Sequence, residues 1–141
     1  MKINKTFYLS GGMMNLTPEE RNGWRVELQK MFSEIYHVNL FNPCDHWDFN
    51  SPYIDDKEAM EYDLHRLRHS DVVIVNFNDP QSIGTACELA IAYELRIPII
   101  GLQYTGDNFD LHPWQVFMCQ KIFNNMEALF EYLLAHYVYE D

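Results

Sequence analysis

The chain has 141 residues, of which 48% are hydrophobic and 15% aromatic, enough to build a sizeable core within one domain spanning residues 1–141. Ten basic against twenty-one acidic residues give a net charge of −11, and with no Lys/Arg cluster to follow a phosphate backbone, a nucleic acid polymer is excluded as an expected partner. Cys44, Cys87 and Cys119 are odd in number and far apart, which fits neither a disulfide framework nor a zinc site and, with no membrane-spanning stretch, leads to the expectation of a soluble, unprocessed cytoplasmic protein.

In chain order, "KTFYLS" reads as a strand ending at Gly11-Gly12. "TPEERNGWRVELQKMFSEIY" reads as an amphipathic helix with Thr17 as N-cap, Pro18 at its first position and Glu20 closing a capping box. "HVNLFNP" is a second strand, and "CDHWDFNSPYIDD" has the chemistry of a loop. "DKEAMEYDLHRLRHS" is the next helix. "DVVIVNF" is a continuous β-branched run, the pattern of a strand covered on both faces. "SIGTACELAIAYELR" is a helix, "IPIIGLQ" a buried strand, "FMCQKIF" an edge strand and "NMEALFEYLLAHYV" the closing helix. Strands alternating with helices predict an α/β fold, a doubly wound, mainly parallel five-stranded sheet flanked by helices, flavodoxin- or Rossmann-like. Ligands of such sheets bind at the carboxyl ends of the strands, here the loops after Ser10, Phe77 and Leu102.

Three residues near that edge can carry chemistry. Glu88 projects from a helix face without other charge, near Gly84, Thr85, Ile91 and Ala92. It is either a first-turn acid favoured by the helix dipole or a nucleophile kept ionised by it. Asp63 lies on the apolar stripe of Met60, Leu64 and Leu67, where a carboxylate needs a function or a basic neighbour. Tyr8 holds its hydroxyl near the end of the first strand, as a core tyrosine or as a site group, and Gly11 and Gly12 give either close backbone approach to a ligand or a tight turn. His65 and His69 have the spacing of a metal pair but no third ligand, so no metal is expected. Cys87 reads as an inert buried thiol, and no GxGxxG or GxxxxGK[ST] loop is present, so no cofactor is expected.

Together, "FYLSGG", "YDLHRLRHSDVVIV" and "SIGTACELAIAYELRIPIIGL" resemble the nucleoside 2-deoxyribosyltransferase family over most of residues 6–102. The resemblance implies that Glu88 is the nucleophile attacking the anomeric carbon, that Asp63 assists near the reacting sugar and base, and that Tyr8 orients the nucleophile. It implies substrate contacts at Ser82, Gly84, Gly11 and Gly12, with a small nucleoside or nucleotide and a free nucleobase as partners. A homo-oligomer is also implied, for which Trp47, Tyr53, Trp114, Tyr137 and Tyr139 offer aromatic surface or base stacking.

Ser82 departs from the transferase pattern, in which an aspartate at that place helps bind the 5′ end of the sugar. A serine there resembles the related 2′-deoxynucleoside 5′-monophosphate N-glycosidases, and a hydroxyl at a helix N-terminus suits a phosphate better than a carboxylate does. Those hydrolases carry a further serine where this chain has Gly12, so "YLSGGM" is closer to the transferases. The expected activity is deoxyribosyl transfer between nucleobases. The alternatives are hydrolysis of deoxynucleoside 5′-monophosphates and nucleotide binding without catalysis.

Overall fold

The computed structural model describes residues 4–35, 37–46, 56–104 and 109–139. Five strands, β1 (Lys5–Gly11), β2 (Val38–Phe41), β3 (Val72–Asn76), β4 (Ile99–Leu102) and β5 (Lys121–Phe123), form one sheet in the order β2-β1-β3-β4-β5. Every neighbouring pair is parallel. The predicted doubly wound sheet is therefore present and wholly parallel, with its order reversing between β1 and β3.

The helices are α1 (Pro18–Met31), α2 (Asp56–Arg68), α3 (Ile83–Glu94), α4 (Pro113–Met118) and α5 (Met126–Leu133), the last continued by a π-helical turn over Leu134–Val138. Alternation along the strands divides the core into two layers. Phe7, Leu9, Val72, Ile74, Ile100 and Leu102 pack against Trp24 and Leu28 of α1 and Leu129 and Leu133 of α5. On the opposite face, Tyr8, Val73, Val75 and Ile99 meet Leu67 of α2 and Leu89 and Ala92 of α3. All five residues of β3 are buried, as its unbroken apolar run predicts.

The helix ends follow local chemistry. Thr17 caps α1 in the predicted box: its hydroxyl accepts from Glu20 N, and Glu20 Oε1 accepts from Thr17 N at 2.9 Å. α1 closes at Met31 with Phe32 as its C-cap, earlier than the periodicity of its sequence predicts. The expected strand "FMCQKIF" is also corrected. Phe117 and Met118 belong to α4, and only Lys121–Phe123 pairs with β4. Pro113 in the first turn and a reciprocal His112–Gln115 capping box start that short helix, a local signal stronger than the apolar run that follows.

Candidate functional site

Tyr8 and Ser10 are two apart on β1, so both side chains point from the same face of the sheet, toward α3. Both hydroxyls reach one carboxylate. Tyr8 Oη donates to Glu88 Oε2, and Ser10 Oγ donates to Glu88 Oε1 at 2.8 Å. Tyr8 and Ser10 are fully buried. The Tyr8 ring is held by stacking on Phe41, with centroids 5.4 Å apart, and the guanidinium of Arg66 lies 5.0 Å from the centre of the Phe41 ring.

Burial raises the Glu88 carboxyl to about 7, against the opposing hydrogen bonds from Tyr8 and Ser10; the charge of Asp63 raises it further and that of Arg25 lowers it. Glu88 is thereby poised to exchange between acid and carboxylate near neutral pH. Tyr8 is pushed far above the ordinary phenol range, first by burial and then by the charges of Glu88 and Asp63. It stays a phenol and a hydrogen-bond donor.

Two sequence expectations about these acids change. Glu88 lies in the second turn of α3, whose first turn contains no acid, so the dipole account loses weight because that effect fades within one turn. Asp63 is not on a stripe with Met60, which is 50% exposed. The buried stripe of α2 is Ala59, Asp63 and Leu67, with the carboxylate at its centre. Its electrostatic effect on both Glu88 and Tyr8 brings the three predicted groups into one cluster.

The remaining expected residues fall around this cluster unequally. Ser82 is the N-cap of α3, its hydroxyl accepting from Thr85 N at 3.3 Å and from Thr85 Oγ1 at 2.9 Å. Gly84 is exposed, with open space where a side chain would project. Gly11 and Gly12 are buried, and packing accounts for both. A Cβ on Gly11 would come within 3.1 Å of Asn76 O, and one on Gly12 within 2.8 Å of Asp79 Cβ. Gly12 N also donates to Asn78 Oδ1 at 2.8 Å, tying the loop after β1 to the loop after β3 at the reversal of strand order.

Cys87 is exposed, contrary to expectation. The buried face of α3 is Thr85, Leu89 and Ala92 with Ile91 half-buried beside it, whereas Ile83, Ala86, Cys87, Ala90 and Tyr93 face outward. The His65 and His69 rings lie 4.4 Å apart on exposed positions, and no cluster of potential metal ligands occurs among the described residues. Trp114 and Tyr139 are exposed, whereas Tyr137 is half-buried and donates to Gln120 Oε1 at 2.6 Å; Trp47 and Tyr53 lie outside the described residues. A groove of about 870 Å³, lined by Trp24, Glu27, Asn76, Asn78 and Tyr104 among others, runs along α1 and includes none of Tyr8, Asp63 or Glu88.

Sequence reasoning missed Ser10 and Arg25. Ser10 was detectable by its two-residue offset from Tyr8 once that tyrosine was placed on the site face. Arg25 gave no local signal, because a basic residue in an amphipathic helix ordinarily belongs to the solvated face. It is fully buried.

Comparison with known proteins adds the architecture. No protein-family model matches the chain. No curated protein gives a significant match. Among solved structures, a conserved protein from Enterococcus faecalis V583 is 20% identical with a TM-score of 0.73, over 91% of this chain and 96% of that one. A 2-deoxyribosyltransferase from Bacillus psychrosaccharolyticus is 16% identical with a TM-score of 0.73, over 92% and 93% of the two chains. A CMP N-glycosidase from Clostridium botulinum is 18% identical with a TM-score of 0.62, over 94% and 99%. The chain shares their fold. At such identities the likeness concerns the path of the backbone, and the chemistry has to be argued from the side chains.

Proposed function

We propose that the protein cleaves the N-glycosidic bond of 2′-deoxynucleosides through Glu88 and transfers the deoxyribosyl group to another nucleobase. The observation that carries this reading is the Tyr8–Glu88–Ser10 arrangement beside Asp63, at the carboxyl edge of a parallel sheet. Two hydroxyl donors fix the carboxylate in one orientation, and its half-buried position against fully buried Tyr8 and Ser10 limits the water that would blunt a nucleophile. The architecture shared with a 2-deoxyribosyltransferase and a CMP N-glycosidase supports the reaction class.

In this reading a Glu88 oxygen attacks C1′ of the sugar. The C1′–N bond breaks, its electron pair leaves with the base, and the base takes up a proton for which Asp63 is the candidate donor. A nitrogen of a second base then attacks C1′ from the vacated side, passes its proton to the Asp63 carboxylate left by the first step, and releases Glu88 as a carboxylate. Two displacements retain the anomeric configuration. Tyr8 and Ser10 steady the carboxylate before attack and receive it again on release.

Incubation with a deoxynucleoside and a different free base is expected to yield the exchanged nucleoside, with a glycosyl ester on Glu88 detected by mass spectrometry of quenched protein. Free deoxyribose alone would replace transfer by hydrolysis, and no base release at all would refute the catalytic reading.

A second reading, hydrolysis of a deoxynucleoside 5′-monophosphate, is favoured by Ser82. Its oxygen accepts from Thr85 and its proton remains available to an anionic group at the start of α3. Ser82→Asp would then depress activity on monophosphates far more than on nucleosides. The proposal also includes a homo-oligomer, supported by Ile83, Trp114 and Phe117, which are 80%, 71% and 77% exposed on the packed pair α3 and α4.

A further inference from the structure

β1 is longer than the strand beside it, and that difference exposes a problem in hydrogen bonding. Lys5 N donates to His37 O while Asp71 N donates to Thr6 O, so odd-numbered residues of β1 direct their backbone groups toward β2 and even-numbered ones toward β3. The register with β2 ends at Tyr8 opposite Phe41, and the chain then turns through Asn42 into a 3₁₀ turn at Pro43–His46. The carbonyls of Leu9 and Gly11 therefore point to where β2 has stopped. Buried carbonyls require donors, and Arg25 supplies them. Its Nε donates to Leu9 O at 3.1 Å and its Nη2 to Gly11 O at 3.2 Å. Its Nη1 donates to Arg21 O and, at 3.3 Å, to Cys44 Sγ.

The guanidinium thus replaces a strand, and it grips the two carbonyls on either side of Ser10. Ser10 is the residue whose hydroxyl holds Glu88 Oε1. Among the described residues, Arg25 donates to carbonyl oxygens and a thiol, with no carboxylate among its acceptors. Its positive charge is instead felt by Glu88 across the thickness of one strand, a direction that favours the ionised carboxylate.

We propose that Arg25 is a positioning residue of the Glu88 site, fixing the end of β1 so that Ser10 aims at the carboxylate. The role rests on the glycosidic reading only for its use in catalysis; the geometry and the charge act on Glu88 in any case. The other groups acting on Glu88 are Tyr8 and Ser10 of β1 and Asp63 of α2, while Cys44, with Arg21 and Asp45 near it, faces Arg25.

The test is a carboxyl-carbon NMR titration of the full chain labelled at glutamate, with Glu88→Gln assigning the resonance. It compares the parent with Arg25→Lys, Arg25→Gln, Ser10→Ala and the double variant Ser10→Ala/Arg25→Lys. Arg25→Gln is expected to move the Glu88 midpoint upward by about 1 pH unit. Arg25→Lys keeps the charge but loses the fork, so its smaller upward shift should disappear when Ser10 is already alanine. Should the Arg25 variant fold too poorly to titrate, the same shift is read in the acid limb of base release for Arg25→Lys alone. A Glu88 midpoint that is unchanged in folded Arg25 variants, with only the melting temperature lowered, overturns the proposal. Absence of base release by the parent refutes the glycosidic reading and leaves the titration result standing.

Discussion

Glu88 is costly to the folded chain in a way that depends on pH. Its folded midpoint of about 7 lies above the ordinary carboxyl value of 4.5. The folded state consequently holds the proton more tightly than the unfolded state does. The group's contribution to stability is fully present below pH 4.5 and is lost as pH rises to about 7. Glu88→Gln cannot ionise, so its stability relative to the parent is expected to improve between pH 4.5 and pH 8. Chemical denaturation should show a change of about 1–3 kcal/mol in that difference. Activity should run the other way: base release by the parent should fall with a midpoint near 7 as the pH is lowered and the nucleophile takes up a proton. The two profiles check one carboxyl group by independent measurements. A residue that weakens the fold where it is chemically competent is the pattern expected of a functional group.

At the scale of elements, the helix that carries Glu88 is held between two kinds of cap. Ser82 satisfies its amino end. At its carboxyl end Arg96 N donates to Tyr93 O and Ile97 N to Ala92 O at 2.9 Å, the paired bonds of a Schellman motif, with Arg96 at a φ of 60°. An exposed arginine in a left-handed conformation costs energy that glycine would not. Arg96→Gly is therefore expected to stabilise the chain by about 1 kcal/mol in urea melts, leaving base release unchanged because the substitution lies at the far end of α3. α4 shows how an element escapes periodicity. Its six residues are too few to display a helical stripe, and its capping residues His112, Pro113 and Gln115 were the available signal.

The whole molecule rests on β3, which is buried in both core layers at once. Ile74 faces α1 and α5, whereas its neighbours Val73 and Val75 face α2 and α3. Ile74→Ala is expected to cost about 2–5 kcal/mol. Because the strand is shared, fluorescence of Trp24 in one layer and circular dichroism of the whole should report a single transition at the same denaturant concentration. Separate transitions would show that the two layers unfold independently.

Much of this organisation follows from sequence because its causes are local. The β-branched run of β3, the Thr17 capping box and the alternation of strands with helices determine element type and a parallel sheet, and the position of Glu88 after a loop and a cap places it near the carboxyl edge. Local pattern did not determine which way the apolar residues of α3 face, since a helix with little asymmetry has no marked inner side; Cys87 and Ile83 were turned outward by packing. Nor could it pair Ser10 with Glu88 across 78 residues, or bury Arg25 under a strand whose neighbour ends early. Those contacts depend on register and strand length, which are settled only when the elements assemble. The sequence by itself determined the sheet and the acid at its edge; tertiary structure decided which hydroxyls hold that acid and which cation lies beneath it, because such partners meet only through long-range packing.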